Sequence, residues 1–290
     1  MIQKYIQKHF IRTFKRINEL TFKLILLKTM NLSLQNRNAL ICGSSQGIGF
    51  AAAQEIALLG ANCILMARNE ISLKEAVSKL DTSQNQEHQF LVADFDDSNM
   101  VKKVIEDFTK NNVVHILVNN SGGPNAGPIS TAKEDEFINT FNRHLICNHI
   151  LTKAVVDGMK KEGYGRIINI ISTSVKIPLP NLGVSNTIRG AVANWSKTMA
   201  NELGQFNITV NNVLPGATAT QRLENIISNN ANKKNKEIDE VENEMKHEIP
   251  MKRFAEPNEI GNVVAFLASP AASYINGVSI PVDGGRTGSI

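Results

Sequence analysis

Three tyrosines, one tryptophan and three cysteines are few for a chain of 290 residues. The cysteines, Cys42, Cys63 and Cys147, are odd in number and show no metal-ligand spacing, so neither a disulfide framework nor a zinc module is expected. They read as reduced core thiols of an intracellular, cytoplasmic protein. No apolar run approaches the roughly 18 residues that cross a bilayer, which leaves no integral membrane segment. Positive charge on the body is missing too. The net charge of +4 arises in residues 1–30, where seven basic groups face one acid, Glu19, a balance of +6. The remainder therefore carries 4 − 6 = −2, and a basic nucleic-acid footprint on the body is excluded.

What is there is an ordinary globular composition, 42% hydrophobic and 20% charged. The basic leader, with Phe10, Phe14, Ile17, Leu20 and Leu24 near helical spacing, has three readings. It is a basic amphipathic surface or targeting helix, a docking arm, or upstream sequence read from an early start, since Met30 directly precedes the opening of the domain. The last is favoured.

Residues 39–49, Ala-Leu-Ile-Cys-Gly-Ser-Ser-Gln-Gly-Ile-Gly, organise the rest. An apolar run enters a loop holding Gly43, Gly47 and Gly49, and a helix-forming run from Phe50 leaves it. Missing Cβ atoms permit a sharp turn and a close approach to the main chain. The unpaired N–H groups that open the helix favour a pyrophosphate. Glycines present for packing alone are the bland alternative.

Downstream, strand-like segments (62–67, 89–93, 113–118, 166–171, 208–213, 278–281) alternate with helix-like ones, the pattern of a parallel sheet covered by helices. One long helix is expected over 133–161, and another over 183–203 with Gly204 placed to end it. Residues 221–249, rich in Asn, Lys and Glu, break the rhythm after a strand end. They read as a mobile, partly helical substrate lid, or else as a solvated insertion.

With these segments in place, the chain after Leu32 resembles a short-chain dehydrogenase/reductase. The resemblance rests on Gly43 to Gly49, Asp94, Asn119-Asn120-Ser121-Gly122, Ser172 after a strand, Pro215-Gly216 and Val282-Asp283-Gly284-Gly285, in order and at the family's spacings. Within the family the chain is most similar to the 3-oxoacyl-carrier-protein reductases. The resemblance implies an α/β fold, a Rossmann-type doubly wound seven-stranded parallel sheet in one domain, residues 31–290. It also implies a homotetramer or homodimer. A carbonyl or acyl-thioester substrate is implied, with no metal. Cofactor contacts are implied for Gly43, Ser45, Gln46, Gly47, Ile48, Gly49, Asp94 (adenine), Asn119 (bracing the strand), Ser121, Gly122, Pro215, Gly216, Thr218 and Thr220. A strand-end cap is the bland role for Asp94.

Arg68 has a direct physical reading. Where dinucleotide folds place an acid to take ribose hydroxyls, this chain has a guanidinium, which suits a 2′-phosphate. NADP(H) is therefore preferred over NAD(H), a surface arginine being the alternative.

The family's Ser, Tyr, Lys and Asn set is only partly present. Ser172 fits. The tyrosine position thirteen residues later is Ser185, the lysine position four further on is Arg189, and the asparagine position is His144. Positions i and i+4 share a helix face, so Ser185 and Arg189 point together. Tyr5, Tyr164 and Tyr274 lie too far along the chain to replace the missing phenol. The expected arrangement has Ser172 and Ser185 on a carbonyl oxygen, Arg189 on ribose, and His144 or a water delivering the proton. A space-filling role is the alternative for His144. A cofactor-binding pseudoenzyme or scaffold is the competing function.

Overall fold

Residues 39–42 alternate between two faces of a sheet, Ala39 and Ile41 to one hydrophobic cluster and Leu40 and Cys42 to the other. Burial on both faces needs helices on both faces. The computed structural model describes residues 30–289, so the leader, apart from Met30, lies outside the described residues. One unit spans Ser33–Ile290.

Its first half runs β1 (Asn38–Cys42), α1 (Gly47–Leu58), β2 (Asn62–Ala67), α2 (Glu70–Ser78), β3 (Gln89–Val92), α3 (Ser98–Thr109) and β4 (Ile116–Asn119). Then come α4 (Glu134–Phe141), α5 (Cys147–Glu162), β5 (Gly165–Ile170), α6 (Gly183–Leu203) and β6 (Ile208–Pro215). The last elements are α7 (Gln221–Lys234), α8 (Ile238–His247), α9 (Pro257–Ala268) and β7 (Ser279–Val282).

The seven strands are all parallel, in the order β3-β2-β1-β4-β5-β6-β7. The chain builds outward from β1 to β3, then returns to place β4 on the other side of β1. That reversal opens a crevice beyond the carboxyl ends of β1 and β4, where ligands of such sheets bind. Helices α1, α2 and α9 cover one face through Ile56, Leu73 and Val264, and α3, α5 and α6 cover the other through Ile105, Leu151 and Leu203.

Local chemistry starts and stops these helices. Asp97 accepts from Asn99 and Met100 N–H at 3.0 and 3.1 Å, capping α3. Pro257 opens α9, whose Glu259 accepts from the Glu256 N–H at 2.8 Å. Gly204 follows the last residue of α6, as expected, in right-handed backbone (φ −54°). It opens a short 3₁₀ turn, and Asn207 (φ 59°) makes the reversal instead, a conformation asparagine tolerates through its short polar side chain. The expected long helix over 133–161 is α4 and α5 joined by a π turn, Asn142–Ile146. Residues 221–249 hold two helices, α7 and α8. Leu223, Ile227 and Ala231 recur at four-residue spacing and pack with Val241 into a small core of their own.

A row of polar side chains crosses the buried sheet in strict register. Asn119, Asn169, Asn212 and Ser279 are successive partners on β4, β5, β6 and β7. Asn119 donates to Asn169 at 2.9 Å, Asn169 to Asn212 and to Ser196 at 3.1 Å, and Asn212 to Ser279 at 3.0 Å. Each amide answers the next, which is the condition for burying polar groups at all. Replacing Asn169 by Ala strands partners on two strands and on α6. Urea unfolding should show a loss of about 2–4 kcal/mol. A loss no larger than that of Ser196→Ala would remove the row from the stability of the sheet.

Candidate active site

The crevice is floored by the turn after β1. Gly43 and Gly47 adopt φ of 57° and 59°, left-handed conformations that side chains resist. A Cβ on Gly49 would stand 2.3 Å from the Gly43 carbonyl oxygen and 2.8 Å from Asn120 Nδ2, so no other residue fits there. Helix α1 begins at Gly47 with no side-chain cap from Gln46 and no acidic residue in its first turn. Bare N–H groups at the positive end of a helix, beside a backbone without side chains, fit a pyrophosphate. Ser45, Ile48 and Gly47 are partly open, Gln46 is exposed, and Thr220 lies over Gly47.

Ser44 works beneath this turn. Its hydroxyl donates to the Ile41 carbonyl at 2.7 Å and accepts from the Met66 N–H at 3.2 Å, tying β1 to β2. Asn120 ties the turn to β4, donating from Nδ2 toward the carbonyls of Cys42 and Gly43 at 3.3 and 3.2 Å. Sequence reasoning assigned the bracing to Asn119, which does brace the sheet, but the link to the glycine turn belongs to Asn120. Being the second asparagine of the quoted motif was its only signal.

Of the other cofactor candidates, Arg68 is exposed immediately after β2, and the nearby acid Glu70 is taken by Lys74 at 2.7 Å. Asp94 is half-buried and caps its own turn, accepting from the Asp96 N–H at 3.0 Å through one carboxylate oxygen. Pro215 ends β6. Gly216 packs against Asp283, whose two oxygens accept from the Gly285 and Thr287 N–H groups at 3.0 and 2.8 Å. Thr218 donates to the Gly216 carbonyl at 3.1 Å, and Thr220 to that of Thr218 at 3.2 Å.

The catalytic candidates gather at the end of β5. Ser172, two residues past the strand, accepts from the Ser174 N–H at 3.1 Å, which caps a short 3₁₀ turn. Ser185 and Arg189 are both buried on α6. Arg189 Nη1 donates to the Ile170 carbonyl at 2.9 Å. Burial and the charge of Arg222 bring the Arg189 pKa down to about 10, which leaves it a cation at neutral pH.

His144 sits in the π turn, an irregularity of helices that recurs at functional sites. It is 2% exposed. Its Nδ1 is 2.7 Å from Ser121 Oγ, and its Nε2 is buried without a partner. Desolvation and the positive charges of Arg189, Arg143 and Arg222 hold its pKa well below the ordinary histidine value. It is therefore neutral at neutral pH.

The loop after β4 is held one residue at a time. His144 meets Ser121, Arg143 Nη1 donates to the Gly122 carbonyl at 3.4 Å, and Arg222 donates to those of Gly123 and Pro124 at 3.0 and 3.3 Å. Arg143 Nε also donates to Asp96 at 2.6 Å. Neither arginine was among the sequence candidates. Arg143 stands beside His144, and Arg222 lay inside a segment read as a substrate lid or a solvated insertion. Among the described residues no group of acids, histidines and cysteines could hold a metal, and no helix is long and apolar enough to cross a membrane.

Comparison with known proteins agrees with the fold. The sequence model of the family described as Enoyl-(Acyl carrier protein) reductase matches residues 43–287. The 3-oxoacyl-(acyl-carrier-protein) reductase FabG of Pseudomonas aeruginosa is 33% identical over 258 residues, 88% of this chain and 98% of its own. The NADPH-dependent reductase BacG of Bacillus subtilis is 30% identical over 260 residues, 89% of this chain and all of its own (100%). Among solved structures, L-sorbose reductase from Gluconobacter frateurii, complexed with NADPH and L-sorbose, superposes with a TM-score of 0.84 at 29% identity. It covers 90% of this chain and 100% of its own.

The histidine geometry has a consequence for stability. His144 and His115 both have pKa values below the ordinary one, His115 through desolvation and Arg37, opposed by Glu162. Below about pH 6.5 the unfolded chain therefore binds more protons than the folded one, and the unfolding free energy falls as pH drops. Urea titrations at pH 7 and 5 should show that fall, with a shallower slope for His144→Asn. An unchanged slope in that variant would mean that His144 is not held neutral.

Proposed function

Because the chain belongs to the short-chain dehydrogenase/reductase family, whose members include NAD(P)-dependent oxidoreductases, we propose that it uses NADP(H) to interconvert a carbonyl compound and a secondary alcohol. The observation that carries the reading is the pairing of two features across one crevice. On one side lies the glycine turn with its uncapped helix, and on the other Ser172, Ser185 and Arg189 at the end of β5. Residues 31–290 form the cofactor-binding domain in this reading, and 221–249 its lid. The chain works as a homodimer or homotetramer in the cytoplasm. A 3-oxoacyl thioester is one substrate consistent with the FabG likeness.

The preference for NADP(H) follows from Arg68. A guanidinium with no neighbouring acid free to compete receives a ribose phosphate as a charge-assisted fork. When bound, the nicotinamide supplies or accepts the hydride. The chain's own groups orient the carbonyl and handle the proton. Ser172 and Ser185 donate to the carbonyl oxygen, and Arg189 donates to ribose hydroxyls and steadies negative charge as it grows on that oxygen. A serine hydroxyl is a poor acid and Arg189 stays protonated, so the proton comes from water, passed through neutral His144 and Ser121 or directly. The carbonyl gains one hydride on carbon and one proton on oxygen.

Cofactor fluorescence and absorbance test this reading together. NADPH should bind at least about ten-fold tighter than NADH, and Arg68→Ala should bring the two close to parity. NADPH should also be consumed with at least one ketone or β-ketoacyl thioester of a broad panel. Binding with no turnover across the panel would favour a cofactor-binding protein without catalysis, and preference for NADH would overturn the assignment of Arg68.

A further inference from the structure

The site carries more positive charge than its carboxylates answer. Three guanidinium groups, on Arg143, Arg189 and Arg222, act on His144 at once. Only Arg143 has an acidic partner, Asp96. For Arg189 and Arg222 the influences on the guanidinium are desolvation and another arginine, with no carboxylate among them. Four acids of the lid hold cations elsewhere, and Glu224 accepts from the Gln221 amide at 2.8 Å. Glu240 and Glu244 hold Lys236, Glu244 holds Lys234 at 2.8 Å, Glu242 holds Lys246 at 2.6 Å, and Glu248 holds Arg286. Arg189 is buried while Arg222 is exposed, so an anion that meets Arg222 from solvent also feels a buried cation that no carboxylate answers.

That anion is not one the cofactor supplies from its assigned places. The pyrophosphate belongs to the turn after β1, and the ribose phosphate to Arg68 after β2. Arg189 is anchored at the end of β5, two strands from the first and three from the second, about 10 and 14 Å across the sheet. Arg222 reaches over the loop after β4 from the first turn of α7. It gives two hydrogen bonds to that loop, which leaves part of its five-donor fork for a ligand. His144, whose Nε2 is buried and unpartnered, meets the same loop through Ser121.

We propose that the carbonyl substrate bears an oxyanion, a carboxylate or a phosphate, which Arg222 receives at the loop of residues 122–124 with Arg189 behind it. The inference rests on the reductase reading for its carbonyl, but the anion site is testable by binding alone. Arg222 is a specificity residue in this account, setting which carbonyl compounds enter.

The test uses the full chain saturated with NADPH. Matched pairs differ only in charge: pyruvate against methyl pyruvate, and dihydroxyacetone phosphate against dihydroxyacetone. Wild-type protein should favour one anion over its neutral partner by at least about ten-fold in kcat/KM, and the pair that shows it identifies carboxylate or phosphate. In Arg222→Leu that ratio should fall toward one through a raised KM, and Arg222→Lys should restore part of it. NADPH affinity should move less than about two-fold in both variants.

A wild-type ratio near one for both pairs, or the same ratio in Arg222→Leu, overturns the proposal. So does an NADPH affinity weakened as much as the ratio, which would assign Arg222 to the cofactor. Thermal shifts with the unreactive anions oxamate and inorganic phosphate keep the two readings apart. If no ketone is reduced, the reductase reading fails. Stabilisation by either anion in wild type and not in Arg222→Leu then still supports the anion site, and its absence removes it.

Discussion

A guanidinium buried at the end of β5 with no carboxylate to answer it sets the terms for everything around it. Arg189 is fixed by the Ile170 carbonyl and lies one helical turn beyond Ser185, so its charge is delivered to a definite point of the crevice. There it helps keep His144 neutral. A lysine in the same place would be a compact, rotatable charge that can approach neutrality when desolvated, whereas an arginine is a planar fork that stays protonated. An arginine here suits holding an anion or a sugar hydroxyl better than tuning a proton.

The scaffold makes this placement rigid. The Asn119, Asn169, Asn212 and Ser279 row locks the register of the four strands whose ends form the catalytic side of the crevice. Asn120 fastens the glycine turn to the loop after β4, and that loop is fastened in turn by His144, Arg143 and Arg222. The floor for a pyrophosphate, the loop above it and the π turn therefore form one connected hydrogen-bonded body. A displacement of any one of them is felt by the others, which is how a dinucleotide and a second ligand can be set against each other with the accuracy that hydride transfer demands.

Much of this was legible in the sequence. The glycine turn, the alternation of strands and helices and the seven-stranded parallel sheet follow from local pattern, because backbone sterics and two-face burial leave few alternatives. Ser172 follows β5, and Arg189 reaches the last carbonyl of that strand from α6, because a strand end and a helix face fix direction as well as order. What the sequence could not show depends on contacts between distant segments. Asn120 and Arg222 act through backbone carbonyls 77 and 99 residues away, and carbonyls leave no mark on composition. The π turn is a change of hydrogen-bond pattern inside an uninterrupted helical stretch. The small core of Leu223, Ile227, Ala231 and Val241 left little mark in the sequence because one of its members is only an alanine. Gly204 does follow the last residue of α6, but the left-handed reversal comes three residues later, at Asn207.

The account's central claim is that no side chain at this site gains or loses a proton near neutrality while the site still works. The pH dependence of kcat/KM for carbonyl reduction tests it most directly. With the phenol absent, His144 held well below its ordinary pKa and Arg189 at about 10, the profile should be flat between about pH 6.5 and 9. A limb centred near pH 6.5 that disappears in His144→Ala would contradict it, by showing that histidine itself supplies the proton.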